Sequence, residues 1–175
     1  MIKLNYFYLF CCVICLMACA SDDDNSNDEL STSDLLGTWV GVDLDYSGNT
    51  TFEYLGIPVV SQFTGEAYDI DYTITFTDNP NQFYTNGTYS MELTTTFLGE
   101  TEVSSVENLE FLGDGTWSLS GSELTIERDG FSSVATVTLV SNDVIEVDLM
   151  EEQSTTLEGV DYIVNVHSIS TFERQ

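Results

Sequence analysis

Asp69-Ile70-Asp71-Tyr72-Thr73-Ile74-Thr75-Phe76-Thr77 places a large apolar side chain at every second position, with acids and threonines between. Successive side chains of a β-strand point to opposite faces, so a period of two describes a strand with one buried face and one wet face. The β-branched and aromatic residues that dominate the stretch suit such a pleated, half-buried surface. Asp78-Asn79-Pro80-Asn81 follows with strong turn chemistry, so the next strand returns antiparallel. In that strand Tyr89, Met91, Leu93 and Phe97 keep the alternation, and Asn86-Gly87 suits a bulge or a turn.

The same pattern extends both ways. Upstream, Val40, Val42, Leu44 and Tyr46 alternate after Leu35-Leu36-Gly37-Thr38-Trp39. Ser47-Gly48-Asn49 reads as a turn into a short strand from Thr51 to Leu55, and Gly56, Pro58 and Gly65 punctuate a second hairpin around Val59, Val60 and Phe63. Downstream, Gly99-Glu100 leads into a strand from Val103 to Leu112, and Gly113-Asp114-Gly115 turns again. Trp117 and Leu119 precede Ser120-Gly121-Ser122; Leu124, Ile126 and Arg128 then share a face up to the hairpin signal Asp129-Gly130. Ala135, Val137 and Leu139 run to Ser141-Asn142-Asp143, followed by Ile145, Val147 and Leu149, and the last strand carries Val160, Tyr162, Val164, Val166, Phe172 and Arg174 on one parity. No segment holds a period of 3.6. The chain is therefore expected to be all-β, an antiparallel up-and-down meander of about eight to ten strands that closes into a barrel, since closure removes exposed edges.

Composition bounds the partners. The 175 residues contain 30 acids against 3 Lys and Arg, a net charge of −27. Nucleic acid and other polyanions rely on Lys and Arg to neutralise phosphates and are excluded as expected partners. The acids serve as a solvated outer face, and a cationic ligand remains compatible with them.

The first residues are expected to be a leader. Lys3 gives a basic start, Tyr6 to Ala18 are apolar, and the stretch is shorter than the roughly 20 residues a membrane-spanning helix needs. Leu16, Ala18 and Cys19 resemble the bacterial lipobox, with Met17 a departure from it. The resemblance implies that Cys19 is lipidated and becomes the first residue of the mature chain; the alternative is an ordinary signal peptide cut near Ala20. Cys11, Cys12, Cys15 and Cys19 all lie in or at the end of this segment, so the exported domain has no thiol for a disulfide and Cys19 is the only mature cysteine. Residues 19–33 are polar enough to be a disordered tether. Ser21, Asp22, Asp23 and Asp24 resemble an acidic export signal that sends lipoproteins to the cell surface, the alternatives being a plain linker or the periplasmic face of the outer membrane. The expected organisation is a signal peptide over 1–18, an anchored tether over 19–33 and a barrel over 34–175.

Leu36-Gly37-Thr38-Trp39, the central Gly113 to Ile126 run and Thr171-Phe172-Glu173-Arg174 together resemble the bacterial lipocalin-like domains of lipoproteins. The resemblance implies a barrel with Gly37 and Trp39 at its base and Arg174 from the last strand against Trp39. It implies a binding module for a small hydrophobic or amphipathic ligand. An accessory or adhesion subunit of a surface complex, with no internal ligand, is the alternative. Trp39 lies on the opposite parity from Val40, Val42 and Leu44, so a bulge must turn the strand if the indole is inside.

Enzymatic chemistry is not expected. The one histidine, His167, has no nucleophile elbow to serve, and a zinc site needs further His or Cys ligands. Asp43, Asp45, Ser47 and Gly48 have the spacing of half a calcium loop, but Tyr54 stands where the closing Glu is needed. No metal or cofactor is expected. Arg128, sharing parity with Leu124 and Ile126, either points inward to hold a ligand carboxylate or forms a salt bridge with one of the many acids.

Overall fold

The computed structural model describes residues 30–110, 113–157 and 159–175. The expected leader and most of the tether, with Cys19, Ser21, Asp22, Asp23 and Asp24, lie outside them. Among the described residues a short helix, α1 (Thr32–Leu35), leads into nine strands: β1 (Gly37–Tyr54), β2 (Ile57–Thr77), β3 (Gln82–Phe97), β4 (Glu100–Glu110), β5 (Gly115–Ser120), β6 (Glu123–Arg128), β7 (Phe131–Ser141), β8 (Val144–Leu157) and β9 (Val160–Arg174). All pairings are antiparallel. The sheet order β2-β1-β9-β8-β7-β6-β5-β3-β4 closes through a further β2–β3 pairing, so the meander is a barrel.

β4 and β5 occupy one position in the ring. Both pair antiparallel with β3, β4 through Thr88–Phe97 and β5 through Gln82 and Phe83. Gly113-Asp114-Gly115 is therefore an interruption in one descending wall and not the reversal its turn residues suggest. The Asp114 carboxylate caps the break by accepting from the Thr85 amide at 2.9 Å.

Two more expected turns are strand interiors. β1 runs unbroken through Ser47-Gly48-Asn49, and β2 runs unbroken through Gly65. Each glycine is there because something else needs its space. A Cβ on Gly48 would lie 2.1 Å from the Asn165 carbonyl oxygen, and one on Gly65 would lie 2.5 Å from the Met91 sulfur. Glycine in a strand marks close approach as readily as a turn. Straightening β1 also removes the half calcium loop: Asp43 and Asp45 sit exposed on an extended strand, where no loop can wrap a cation.

The alternation around Ile70 to Phe76 is that of the core. Tyr72, Ile74 and Phe76 are 1%, 5% and 4% exposed, with the threonines between them half-buried. Trp39, Phe83, Trp117, Leu124, Ile145 and Phe172 complete the lower barrel. Each such side chain contributes about 1.5–3 kcal/mol on burial. The parity conflict at Trp39 is resolved by a bulge in β1. Gly41 faces Phe172 while Asp43 faces the adjacent Thr171, so Val42 is the extra residue. Trp39 and Gly41 point inward below the bulge and Leu44 and Tyr46 above it; Val42, expected on the buried face, is 42% exposed.

Candidate functional site

The barrel has a filled end and an open end. The filled end is the base, where strands β1, β3, β6 and β8 begin. Trp39 is fully buried there and its Nε1 donates to the Leu35 carbonyl at 2.8 Å. The Arg174 guanidinium lies 4.2 Å from the centre of the Trp39 ring. Its Nη1 donates to the Leu36 carbonyl at 2.8 Å and its Nη2 to the Asp34 carbonyl at 2.7 Å. Arg174 thus ties the last strand to α1 and covers the indole. The α1 turn is held in its own right by the Ser31 hydroxyl and amide, which donate to the Asp34 carboxylate and keep its pKa below the ordinary value. Trp117 fixes the opposite wall by donating from Nε1 to the Thr77 carbonyl at 3.0 Å. Inside the lower barrel, from Trp39 up to Leu149 and Ser168, the free space is about 30 Å³, room for little more than one water.

Three tyrosines form the floor of the open end. Tyr72 stacks edge-on against Phe172 and tilts against Tyr89, with ring centres 5.7 Å apart in each pair. The Tyr46 and Tyr89 hydroxyls are hydrogen-bonded at 3.1 Å. Burial raises the phenol pKa of both Tyr46 and Tyr72 well above the usual value, because phenolate would lose its hydration there.

Above the floor lies a cavity of about 210 Å³, lined by Tyr46, Tyr89, Leu149, Glu151, Val166, Ser168 and, at its margins, Glu110 and Gln153. It exceeds the roughly 150 Å³ that holds benzene in an engineered apolar cavity. Glu151 is fixed by the Ser133 hydroxyl at 2.7 Å and the Gln153 amide at 3.0 Å. The inward parity continues upward through Phe52, which packs on Tyr162 with ring centres 5.2 Å apart.

The wall beside this cavity has a window. The β6–β7 hairpin ends at Arg128 and Phe131, and β7 meets β8 only as far as Leu149. Among the described residues β4 pairs only with β3. β7 thus parts from β8 above Leu149, joined to it there by the Ser133–Glu151 hydrogen bond, and Glu110 and Glu151 both line the cavity beside this opening.

The candidate residues named from sequence fall in three places. Gly37, Trp39 and Arg174 meet at the base; Gly37 has a positive φ of 114° and a Cβ there would lie 3.4 Å from the Arg174 Nη1. Arg128 lies at the window sill beside Gly113, and its side chain does not line the cavity. Of the two alternatives for Arg128, the salt bridge is not seen among the described residues, where no carboxylate lies within ion-pair distance of it. His167 is on the outer face, paired with Asp148 at 2.9 Å. The cavity residues Glu151 and Gln153 were missed in sequence, although they continue the parity of Ile145, Val147 and Leu149. Tyr89 was seen only as a strand residue. Among the described residues no cluster of three or more His, Cys, Asp or Glu is placed to hold a metal ion.

A closed antiparallel barrel, plugged by a Trp–Arg clasp at one end and hollow at the other, defines the class: a calyx-type β-barrel. Residues 35–147 match the family described as "Lipocalin-like domain", and the chain belongs to that family. Among solved structures it is similar to an S-type phycobiliprotein lyase, CPES, from Guillardia theta, at 12% identity and a TM-score of 0.29, over 82% of this chain and 89% of that one. No curated protein matches the sequence.

Proposed function

We propose that the protein is a lipid-anchored lipoprotein of the outer membrane, displayed at the cell surface through Cys19 and the Ser21–Asp24 tether, whose barrel mouth binds a small hydrophobic or amphipathic ligand without catalysis. The observation that carries the binding role is the contrast between the two ends of one barrel. The lower barrel leaves only about 30 Å³ free, whereas a cavity of about 210 Å³ opens above the tyrosine floor. Pockets for small ligands are concave, mostly apolar, and carry a few placed polar groups. Leu149 and Val166 give this mouth its apolar wall, and Glu151, held by Ser133 and Gln153, gives it a fixed polar one.

Titration with an apolar dye that brightens on burial tests the mouth. The expected result is saturable binding to the wild-type barrel that is lost in Val166→Trp, whose indole fills the cavity. Undiminished binding in that variant refutes the assignment. The anchor is tested separately: labelled palmitate incorporated by the wild type and not by Cys19→Ser supports it, and protease shaving of intact cells reports display. Failure of either leaves the mouth assignment standing and overturns the corresponding part.

A further inference from the structure

Among the described residues, three hairpins turn through the same two-residue backbone. Leu55-Gly56 has φ of 53° and 80°, Leu98-Gly99 has 50° and 85°, and Asp129-Gly130 has 50° and 83°. Positive φ at both positions marks the primed hairpin turn, which Asn, Asp and Gly adopt readily and bulky side chains adopt under strain. Asp129 on the short β6–β7 hairpin is the residue that geometry favours, so it serves as an internal control: the turn does not require leucine. Yet the two tall hairpins, β1–β2 and β3–β4, carry leucine there, 86% and 82% exposed. Tyr54 and Ile57 flank the first tip at 64% and 65% exposure, and Leu157 stands 60% exposed before the β8–β9 turn at the same end. Strain and exposed apolar area occur together at these tips, with no compensating contact among the described residues.

We propose that the tall hairpin tips insert into the interfacial layer of a neutral, zwitterionic lipid surface. The tips are convex prongs whose flanking residues Tyr54 and Ile57, and Phe97 and Glu100, are paired across the hairpin. They can therefore enter an apolar layer with most of their backbone already hydrogen-bonded. Leucine is under-represented among the residues that dominate protein–protein binding energy, where Trp, Tyr and Arg lead, and this favours lipid over a protein partner. The acids directly behind the tips, Glu53, Glu100 and Asp161, match the ammonium groups of zwitterionic headgroups and oppose anionic lipid. The described chain begins at the opposite end of the barrel, where Leu30 lines a cleft with the β5–β6 turn.

The test places a reporter at one tip of the full chain. Tyr54→Trp adds an exposed indole, while Trp39 and Trp117 are buried at the base, 0% and 3% exposed. In vesicles of phosphatidylcholine with brominated acyl chains, the introduced indole is expected to shift to the blue and lose emission. Because this signal comes from the tip, anchoring through the N-terminal segment cannot produce it. Adding Leu55→Asn and Leu98→Asn should abolish the shift and the quenching and, by relieving the turns, raise Tm by about 2 °C or more. An unquenched indole, quenching that survives both asparagines, or quenching strengthened by phosphatidylglycerol overturns the proposal. A variant pair that lowers Tm overturns its premise that the leucines are strained.

Discussion

Replacing Arg174 tests the base as a single mechanical unit. The side chain covers Trp39 at 4.2 Å and donates two short hydrogen bonds, at 2.8 and 2.7 Å, to carbonyls of Leu36 and Asp34. A cation–π contact is worth about 0.5–2 kcal/mol and a hydrogen bond from a charged donor about 1.5–3 kcal/mol. The side chain is 29% exposed, and water partly replaces what is lost. The low end of each range is therefore appropriate, and Arg174→Ala should cost about 3.5 kcal/mol, a fall in Tm of roughly 7–14 °C for a domain of this size. Arg174→Lys keeps a charge over the ring but loses the planar fork, and should cost about half as much. Urea unfolding followed by tryptophan emission measures both, since Trp39 and Trp117 are buried. The denaturant slope should not change. A loss below about 1 kcal/mol for alanine, or a lysine variant as stable as wild type, refutes the clasp as the device that holds α1 and β9 together.

Other consequences are open to the same equipment. Gly56→Ala and Gly87→Ala both place a Cβ at positive φ, but the first meets nothing within 4 Å and the second meets the Asp71 carbonyl oxygen at 1.8 Å. Gly56→Ala should cost about 1 kcal/mol of backbone strain, and Gly87→Ala about 3 kcal/mol or more; equal losses would contradict the close packing at the β2 bulge. Gly41→Ala should destabilise by about 1–3 kcal/mol, because its methyl lands 2.4 Å from the Tyr72 ring, with thermal melting as the readout. Stability should fall as the pH rises above about 10. Tyr46 and Tyr72 have folded pKa values raised by burial, so the unfolded chain loses its phenol protons first and is favoured as pH rises. Tyr46→Phe should flatten that fall, measured as urea midpoints at about pH 9 and 11, and an unchanged slope would remove the tyrosine floor from the explanation.

The alternating run from Ile70 to Phe76 was legible because a single period carries both the strand and its buried face. The bulge at Val42 was legible only as a conflict: Trp39 on the wrong parity demanded it, but nothing in Val40-Gly41-Val42-Asp43 located it. Gly48 and Gly65 misled for a definite reason. Local sequence cannot distinguish a glycine that turns the chain from one that yields space to Asn165 or Met91, residues far away in the chain. Gly113-Asp114-Gly115 was misread similarly, since the continuity of β4 and β5 exists only in their common pairing with β3. The cavity was the least legible feature. Its polar lining depends on the register that brings Glu151 beside Val166, a tertiary pairing. The window depends on one hairpin being shorter than its neighbours in the ring.

The claim with most resting on it is that the mouth, and not the base, is a ligand site. Native mass spectrometry of the protein purified from its own cells tests it directly. The wild-type barrel should carry a non-covalent hydrophobic or amphipathic adduct that is absent from Val166→Trp. A wild-type barrel at its bare covalent mass, or an adduct retained in full by Val166→Trp, would contradict the account.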